Sequence, residues 1–159
     1  VVHHQAPEGH CEVVFKDVRV PRENLLGEWG QGFQLGQARL GPGRVHHCMR
    51  TIGQCELALE LATERALERQ AFGRHLSDFA NVQEWLAQSR IEIDQARLLV
   101  PQAAWMLDQL AIQAHRLRAQ VAAIKVVAAQ LQTRVVDRAM QVFGAMGLSP
   151  DTPHNPAAV

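Results

Sequence analysis

The sequence predicts a mainly α-helical protein: an antiparallel up-down helical bundle preceded by a short β segment. Apolar residues recur at spacings of three and four over most of the chain after residue 44, which is the period of an amphipathic helix. Short connections join these stretches, so neighbouring helices are expected to run in opposite directions. Alternation with a period of two occurs only near the start of the chain and predicts strands there.

The predicted β segment lies at residues 11–20. Cys11, Val13 and Phe15 fall on one face of the first strand, Asp17 permits a turn, and Pro21 ends the second strand. Two short strands are not stable alone, so we expect them to be the end of a larger β-domain. We therefore divide the chain into residues 1–29, the end of that β-domain, and residues 30–159, a helical bundle truncated at its C-terminus.

Three apolar stripes predict three long helices, each on the order of 40 Å in length. Between the last two positions of the third stripe, either Arg138 or Ala139 continues the seam. The stripes consist of Val45, Cys48, Ile52, Cys55, Leu59, Ala62 and Ala66; of Val82, Leu86, Ser89, Ile93, Ala96, Val100, Ala103, Leu107 and Leu110; and of Leu117, Val121, Ile124, Ala128, Leu131, Val135 and Val142.

Two proline positions predict irregularities in these helices. Residues 40–43 read Leu-Gly-Pro-Gly, which predicts a break or kink in a helix that begins near Phe33. Pro101 lies inside the second helix, where a proline costs about 3 kcal/mol unless the helix is kinked.

Charge and hydropathy exclude two classes of partner. Sixteen basic and sixteen acidic residues cancel, so no net field attracts nucleic acid or an anionic membrane. The longest apolar runs fall far short of the roughly 20 residues that cross a bilayer. The chain begins at Val1 and ends in a proline-rich stretch, and we therefore expect it to be part of a longer protein.

The titratable residues give no metal or catalytic signature. Cys48 and Cys55 lie seven residues apart on one helix face and are predicted to be core residues rather than a redox pair. His46 and His47 point about 100° apart on a helix and cannot bind one metal together; we expect them to be solvated, with a place beside a ligand cleft as the alternative. No glutamate has a histidine three positions later, as a di-iron bundle requires.

Two segments about seventy residues apart each end a predicted helix with polar or small residues, where a bundle can hold a ligand at its rim. The first is residues 69–73, Arg-Gln-Ala-Phe-Gly, and the second is residues 141–147, Gln-Val-Phe-Gly-Ala-Met-Gly. From the residues alone, Arg69 is either a phosphate-binding cation or a helix C-terminal cation stabilised by the macrodipole. Gly144 or Gly147 is then a helix C-cap, which is compatible with a ligand site.

Taken in order along the chain, these motifs resemble the acyl-CoA dehydrogenase family. Residues 13–21 (Val-Val-Phe-Lys-Asp-Val-Arg-Val-Pro) are similar to the last strands of its middle β-domain, and residues 24–27 to the exit from that domain. Gly32-Phe33 resembles the entry to the C-terminal helical domain. Residues 40–50 (Leu-Gly-Pro-Gly-Arg-Val-His-His-Cys-Met-Arg) are similar to the branch that is fused to a phosphotransferase-like kinase domain in animals.

The resemblance implies an FAD site shared between subunits. Arg69 matches the arginine that contacts the FAD pyrophosphate of the neighbouring subunit, and Phe72 packs against the same cofactor. Arg44 matches a residue that lines the acyl-CoA site. The sequence departs from the family pattern at Gly41, Ala80 and Ala145. The positions that match the segment around the adenosine half of the FAD are Gln141, Val142, Phe143, Gly144 and Ala145.

The implied reaction is the α,β-dehydrogenation of an acyl-CoA thioester, in which a carboxylate removes the α-proton and the flavin accepts a hydride. In most members of the family the base lies beyond the position of Val159, and in the isovaleryl and long-chain branches it lies at the position of Gly43. Glycine cannot accept a proton. We therefore predict no catalytic residue within this chain and no activity of the isolated chain.

The resemblance also implies the partners. We expect an acyl-CoA substrate, an electron-transfer flavoprotein as electron acceptor, and a homodimer or homotetramer, because a flavin shared across subunits requires at least two copies. The expected compartment is mitochondrial or peroxisomal in a eukaryote and cytoplasmic in a bacterium. The alternatives are a truncated non-catalytic module for oligomerisation or regulation and, third, an unrelated helical scaffold.

Overall fold

The computed structural model describes residues 11–109 and 117–149 of the chain, which divides into two compact units, Val1–Gln37 and Ala38–Val159. The predicted helical bundle is confirmed. In the described part of the chain, no helix is both long and apolar enough to span a membrane. In chain order the elements are a 3-10 turn at Arg22–Asn24, helix α1 (Gly32–Glu68), strands β1 (Gln70–Ala71) and β2 (Arg74–His75), a 3-10 turn at Leu76–Asp78, helix α2 (Ala80–Gln109), helix α3 (Arg118–Phe143) and a 3-10 turn at Gly144–Leu148.

Residues 11–20 are exposed and form no strand, which corrects the strand prediction for this segment. A period-two pattern becomes a strand only when a neighbouring strand accepts its backbone hydrogen bonds. Among the described residues none pairs with this segment. The expected bend is present at Asp17, whose φ is 51°. Residues 1–10, the rest of the predicted β portion, lie outside the described residues.

Helix α1 is continuous through Pro42, so the break that residues 40–43 predicted as an alternative to a kink is absent. The helix begins at Gly32 and continues for 37 residues to Glu68, roughly 55 Å. Pro42 is exposed, so water can reach the carbonyl of Ala38 that has lost its helical partner. Helix α2 likewise continues past Pro101, which is also exposed.

The three predicted apolar stripes form the core. Val45, Leu59 and Leu86 are partly buried and pack at its edge, and Leu110 lies outside the described residues. Arg138 and Ala139 are both half-buried, so the two residues share the seam. The stripe positions that are buried are Cys48, Ile52, Cys55, Ala62 and Ala66 on α1; Val82, Ser89, Ile93, Ala96, Val100 and Ala103 on α2; and Val121, Ile124, Ala128, Leu131, Val135 and Val142 on α3, with Leu117 just before it.

Contacts between the helices give their directions. Cys48 Sγ donates to the carbonyl oxygen of Ile124 at 3.5 Å, and Gln132 Nε2 donates to Gln54 Oε1 at 2.8 Å. Residue numbers therefore rise together along α1 and α3. Val82, at the start of α2, packs in one cluster with residues at the ends of α1 and α3. Helix α2 is therefore antiparallel to both, as an up-down bundle requires.

Two carboxylates join the helices through arginine. Glu56 on α1 accepts hydrogen bonds from Arg90 at 2.7 and 2.9 Å and another from Arg97. Glu92 on α2 accepts hydrogen bonds from Arg138 of α3 at 2.8 and 3.3 Å. Hydrogen bonding to Arg90 holds the pKa of Glu56 below its usual value, and hydrogen bonding to Arg138 does the same for the pKa of Glu92. These bidentate pairs favour one register of the helices.

The Glu92–Arg138 pair predicts an acid-sensitive contribution to stability. Because the folded-state pKa of Glu92 lies below the ordinary value of 4.5, the stabilisation is fully present above that value and is lost as pH falls through the folded pKa. Glu92→Gln should lower the free energy of unfolding by roughly 2 kcal/mol at pH 7. Denaturant unfolding from pH 7 to 3 should show this difference shrinking towards acid.

The matched control is Glu60→Gln, which removes an exposed carboxylate from α1. Its unfolding curve should stay close to that of the unsubstituted protein at every pH. A difference between Glu92→Gln and the unsubstituted protein that did not depend on pH would contradict the prediction.

Candidate functional site

Residues 69–75 form a hairpin at the C-terminal end of α1. The Arg69 amide donates to the carbonyl oxygen of Arg65 at 3.0 Å, which completes the last helical turn. The Arg69 carbonyl then accepts a hydrogen bond from the Leu76 amide at 2.9 Å, which closes the hairpin. Between them β1 and β2 are antiparallel, with Gln70 opposite His75. The first predicted segment therefore ends its helix as expected and turns back at once.

The tip of the hairpin is a strained two-residue turn. Phe72 has a φ of 53° and Gly73 a φ of 80°, and positive φ at both positions is the pattern of a type I′ turn. For a residue other than glycine this conformation costs roughly 1–2 kcal/mol. Phe72 is 96% exposed, and its ring makes an edge-to-face contact with Phe79, at 6.5 Å between ring centroids. Strain that presents an aromatic ring to solvent is typical of a ligand-contacting position.

The second predicted segment ends α3 with two glycines that have different roles. Gly144 has a φ of 64°, and its amide donates to the carbonyl of Gln141, so it is the helix C-cap. Gly147 lies in the 3-10 turn that follows. A Cβ on Gly147 would lie 3.0 Å from the Met140 carbonyl oxygen and 3.3 Å from the Phe143 Cβ, so a side chain here would require the turn or the helix end to move by a few tenths of an ångström.

The bundle brings these two segments to the same end. Ala62 and Ala66, in the last turns of α1, pack with Val82 and with Val142 of α3 in one buried cluster. The guanidinium of Arg65 lies over the ring of Phe143, 5.8 Å from its centroid. Segments about seventy positions apart in sequence therefore lie at the same end of this unit.

The side chains at this end differ in exposure. Arg69 is exposed, and the described residues offer no ion pair or side-chain hydrogen bond to its guanidinium. Gln141, Gly144 and Ala145 are exposed as well. Val142 is only 5% exposed and packs in the core, so it supports the segment from within.

Arg44 does not lie with these residues. It is exposed on α1, roughly 37 Å along the helix axis from Arg69. Nearby, Arg50 Nη2 donates to His47 Nδ1 at 2.7 Å, and the Arg50 charge is the main reason why the pKa of His47 is lowered. His46 and His47 are both exposed, in agreement with the prediction that they are solvated.

One cavity in the interior of the bundle is far too small for a cofactor. This cavity, of about 10 Å³ beside Ser89 and Arg138, is at the lower limit for one water molecule. Cys48 and Cys55 are buried free thiols, which confirms their prediction as core residues. Burial raises the pKa of Cys55 to about 11, so this thiol stays protonated. Within the described ranges no three His, Cys, Asp or Glu residues are grouped as metal ligands would be.

Comparison with known proteins gives the family. The model of the acyl-CoA dehydrogenase C-terminal domain matches residues 30–158. The chain belongs to the acyl-CoA dehydrogenase family. Over 152 residues it is 54% identical to "Probable acyl-CoA dehydrogenase FadE2" of Mycobacterium tuberculosis, covering 94% of this chain and 36% of that protein. It is 50% identical to mouse acyl-CoA dehydrogenase family member 10 over 147 residues, which is 92% of this chain and 14% of that protein.

A solved structure agrees with the fold of this acyl-CoA dehydrogenase domain. Butyryl-CoA dehydrogenase from Megasphaera elsdenii superimposes with a TM-score of 0.78 at 36% identity, covering 88% of this chain and 36% of that one. The chain thus spans about a third of the length of FadE2 and of the butyryl-CoA dehydrogenase. The resemblance inferred from the motifs is confirmed at the level of the family, including its similarity to the animal family member.

Sequence reasoning missed two features at this end of the bundle. The hairpin was not predicted because its turn reads Phe-Gly rather than Asn-Gly, and Phe is uncommon at positive φ. Gly73, at the second position of the two-residue loop, was the one sequence signal for the hairpin. The contact between Arg65 and Phe143 was not predicted either, because it depends on how α1 packs against α3.

The turn geometry at Gly73 and the helical position of Gly53 predict opposite effects of glycine-to-alanine substitution on stability. Gly73→Ala should lower the free energy of unfolding by about 1 kcal/mol, because φ at this position is 80°. Gly53→Ala, inside α1 and with open space around the added Cβ, should raise it by about 1 kcal/mol. In thermal unfolding, the midpoint temperature of Gly73→Ala should therefore lie below that of the unsubstituted protein, and that of Gly53→Ala above it. A higher midpoint for Gly73→Ala would contradict the turn geometry.

Proposed function

We propose that the protein containing this chain is an FAD-dependent acyl-CoA dehydrogenase that catalyses the α,β-dehydrogenation of acyl-CoA thioesters. In this proposal the chain supplies part of the FAD site, part of the acyl-CoA site and a subunit interface. The observation that carries it is the position of residues 69–73 and 141–145 at the same end of the bundle, since these are the segments that the family resemblance assigns to FAD.

The residues at this end fit a dinucleotide. The guanidinium of Arg69 offers a fork of donors suited to the oxygens of a pyrophosphate. The exposed ring of Phe72 offers an apolar face in the same hairpin, and exposed Gly144 lets a ligand approach the backbone closely. When bound, FAD supplies the hydride acceptor of the reaction. The side chains of this chain would bind and orient it.

The separation of Arg44 from Arg69 supports a site that is shared between subunits. Hydride transfer requires the acyl chain and the flavin ring to be in contact. Two residues roughly 37 Å apart along one helix are therefore better suited to two different active sites than to one. In this proposal Arg44 lines the acyl-CoA site of its own subunit, and Arg69 contacts the FAD of the neighbouring one.

The outward face of α2 supports a subunit interface. Ile91, Leu98 and Trp105 lie seven residues apart, and their exposed fractions are 50%, 76% and 62%. They lie on the side of the helix opposite the core stripe, with uncharged Gln95 and Gln102 between them. A helix that is apolar on both faces is suited to burial on both sides. We propose that a second copy of the protein covers this face.

In this proposal the base that removes the α-proton lies in a part of the full-length protein outside this chain. Gly43 stands where some branches of the family carry their base, and glycine has no proton acceptor. We therefore propose that the isolated chain is inactive and that an electron-transfer flavoprotein reoxidises the complete enzyme. The alternative, a non-catalytic module for oligomerisation, would associate with full-length subunits and would turn over no acyl-CoA.

The FAD assignment predicts the effect of removing one guanidinium. In the full-length gene product, Arg69→Met should weaken FAD binding about 10- to 100-fold, because a charge-assisted bidentate contact to phosphate is worth roughly 1.5–3 kcal/mol. Titration of the apoprotein with FAD, followed by flavin fluorescence, measures this change. Arg118→Met, on an exposed arginine at the start of α3, is the matched control and should bind FAD normally. Unchanged FAD affinity in Arg69→Met would refute the assignment.

The interface assignment predicts the effect of a charge on the outer face of α2. Leu98→Glu should shift the full-length protein towards the monomer, because burying an unpaired carboxylate costs several kcal/mol. Sedimentation velocity over a range of concentrations measures the shift. Leu67→Glu, on an exposed leucine of α1, is the control and should leave the assembly unchanged. An intact oligomer in Leu98→Glu would place the interface on another surface.

A further inference from the structure

Arg65 is a partly buried cation to which the family resemblance assigns no role. It lies on α1 one turn before Arg69, and its Nε is buried without a hydrogen-bond partner. Its guanidinium lies over the ring of Phe143, 5.8 Å from guanidinium carbon to ring centroid, and among the described residues it forms no ion pair. Glu68, three residues further along, is close enough in sequence for a helical ion pair, yet no such pair is formed. The guanidinium is therefore directed across to α3.

Phe143 connects Arg65 to the turn that follows α3. It is the last residue of the helix and is half-buried. A Cβ built on Gly147 would lie 3.3 Å from the Phe143 Cβ, so the Gly144–Leu148 turn lies directly against this residue. Phe143 therefore contacts Arg65 through its ring and lies close to the turn through its Cβ.

Arg65 lies in the last turn of α1, where the macrodipole favours a cation. Helix stability therefore accounts for its charge, whereas the direction of its guanidinium over the Phe143 ring favours a role in the site. A cation stacked on an aromatic ring gains from its planar guanidinium, which a lysine does not supply. We infer that Arg65 is a positioning residue for the dinucleotide site: through Phe143 it holds residues 141–145 against the end of α1 that carries Arg69.

This inference rests on the proposed FAD function and adds a residue that does not itself contact the cofactor. It predicts that Arg65 and Phe143 act as one unit. In the full-length gene product, Arg65→Met and Phe143→Leu should each weaken FAD binding about 10-fold, the fold-change expected for a partly desolvated cation–π contact. The double variant should be no weaker than the weaker single variant, because both substitutions remove the same contact. Arg65→Lys should retain part of the affinity.

A second measurement reports on position without FAD. Hydrogen exchange of the flavin-free protein, followed by mass spectrometry, should show faster exchange at residues 141–148 in Arg65→Met. Exchange in the middle of α2 should be unchanged. Arg118→Met is again the matched control and should change neither FAD affinity nor exchange. A merely structural role for Arg65 would lower thermal stability but would leave the FAD affinity of the folded protein unchanged.

The outcomes separate this inference from the function on which it rests. If the unsubstituted protein binds FAD and Arg65→Met binds it equally well, the positioning role is overturned and the FAD site stands. If the effects of Arg65→Met and Phe143→Leu on FAD affinity add, Arg65 acts directly on the ligand and the inference is again overturned. An unsubstituted full-length protein that binds no FAD overturns both proposals. Arg65→Lys keeps the test available if Arg65→Met does not fold.

Discussion

Close packing of small residues at one end of the bundle is the constraint on which the proposed site depends. Ala62 and Ala66 are at most 2% exposed, and their small side chains allow α1 to approach Val82 and Val142. A larger side chain at either alanine would push the helix ends apart, because a packed core does not absorb extra volume without strain. The hairpin after α1 and the glycine turn after α3 are neighbours only because these two helix ends are.

The two segments at this end show different solutions to the same problem, which is how to end a helix and still present a surface. After α1, a hairpin with Phe72 at positive φ carries strain of roughly 1–2 kcal/mol and leaves an aromatic ring in solvent. After α3, Gly144 takes a positive φ of 64° without that cost, and Gly147 folds back where a Cβ would lie 3.0 Å from the Met140 carbonyl oxygen. The strained residue, Phe72, is therefore the one with an exposed side chain, whereas glycines occupy the positions after α3 where the backbone turns back closely.

Polar pairs between the helices specify the register more than they stabilise the fold. The Glu92–Arg138 pair is mostly buried, and desolvation offsets much of the attraction in such a pair. It does penalise any shift of α3 along α2, since a shift would leave both charges unpaired in a low dielectric. The apolar stripes alone could slide by one heptad, because they repeat with similar small and β-branched residues. The ion pairs remove that freedom, and they fix which residues meet at the ends of the helices.

The sequence by itself determined the helices, their buried faces and the two segments that end α1 and α3. Apolar periodicity is a local property, and stripe residues such as Ile52, Ile93 and Ile124 are buried as predicted. The tertiary structure alone decided the rest. Residues 11–20 form no strand because a strand depends on a partner, and α1 continues through Pro42 because an exposed carbonyl there can be solvated. The contact of Arg65 with Phe143 depends on helix packing, which no local pattern encodes.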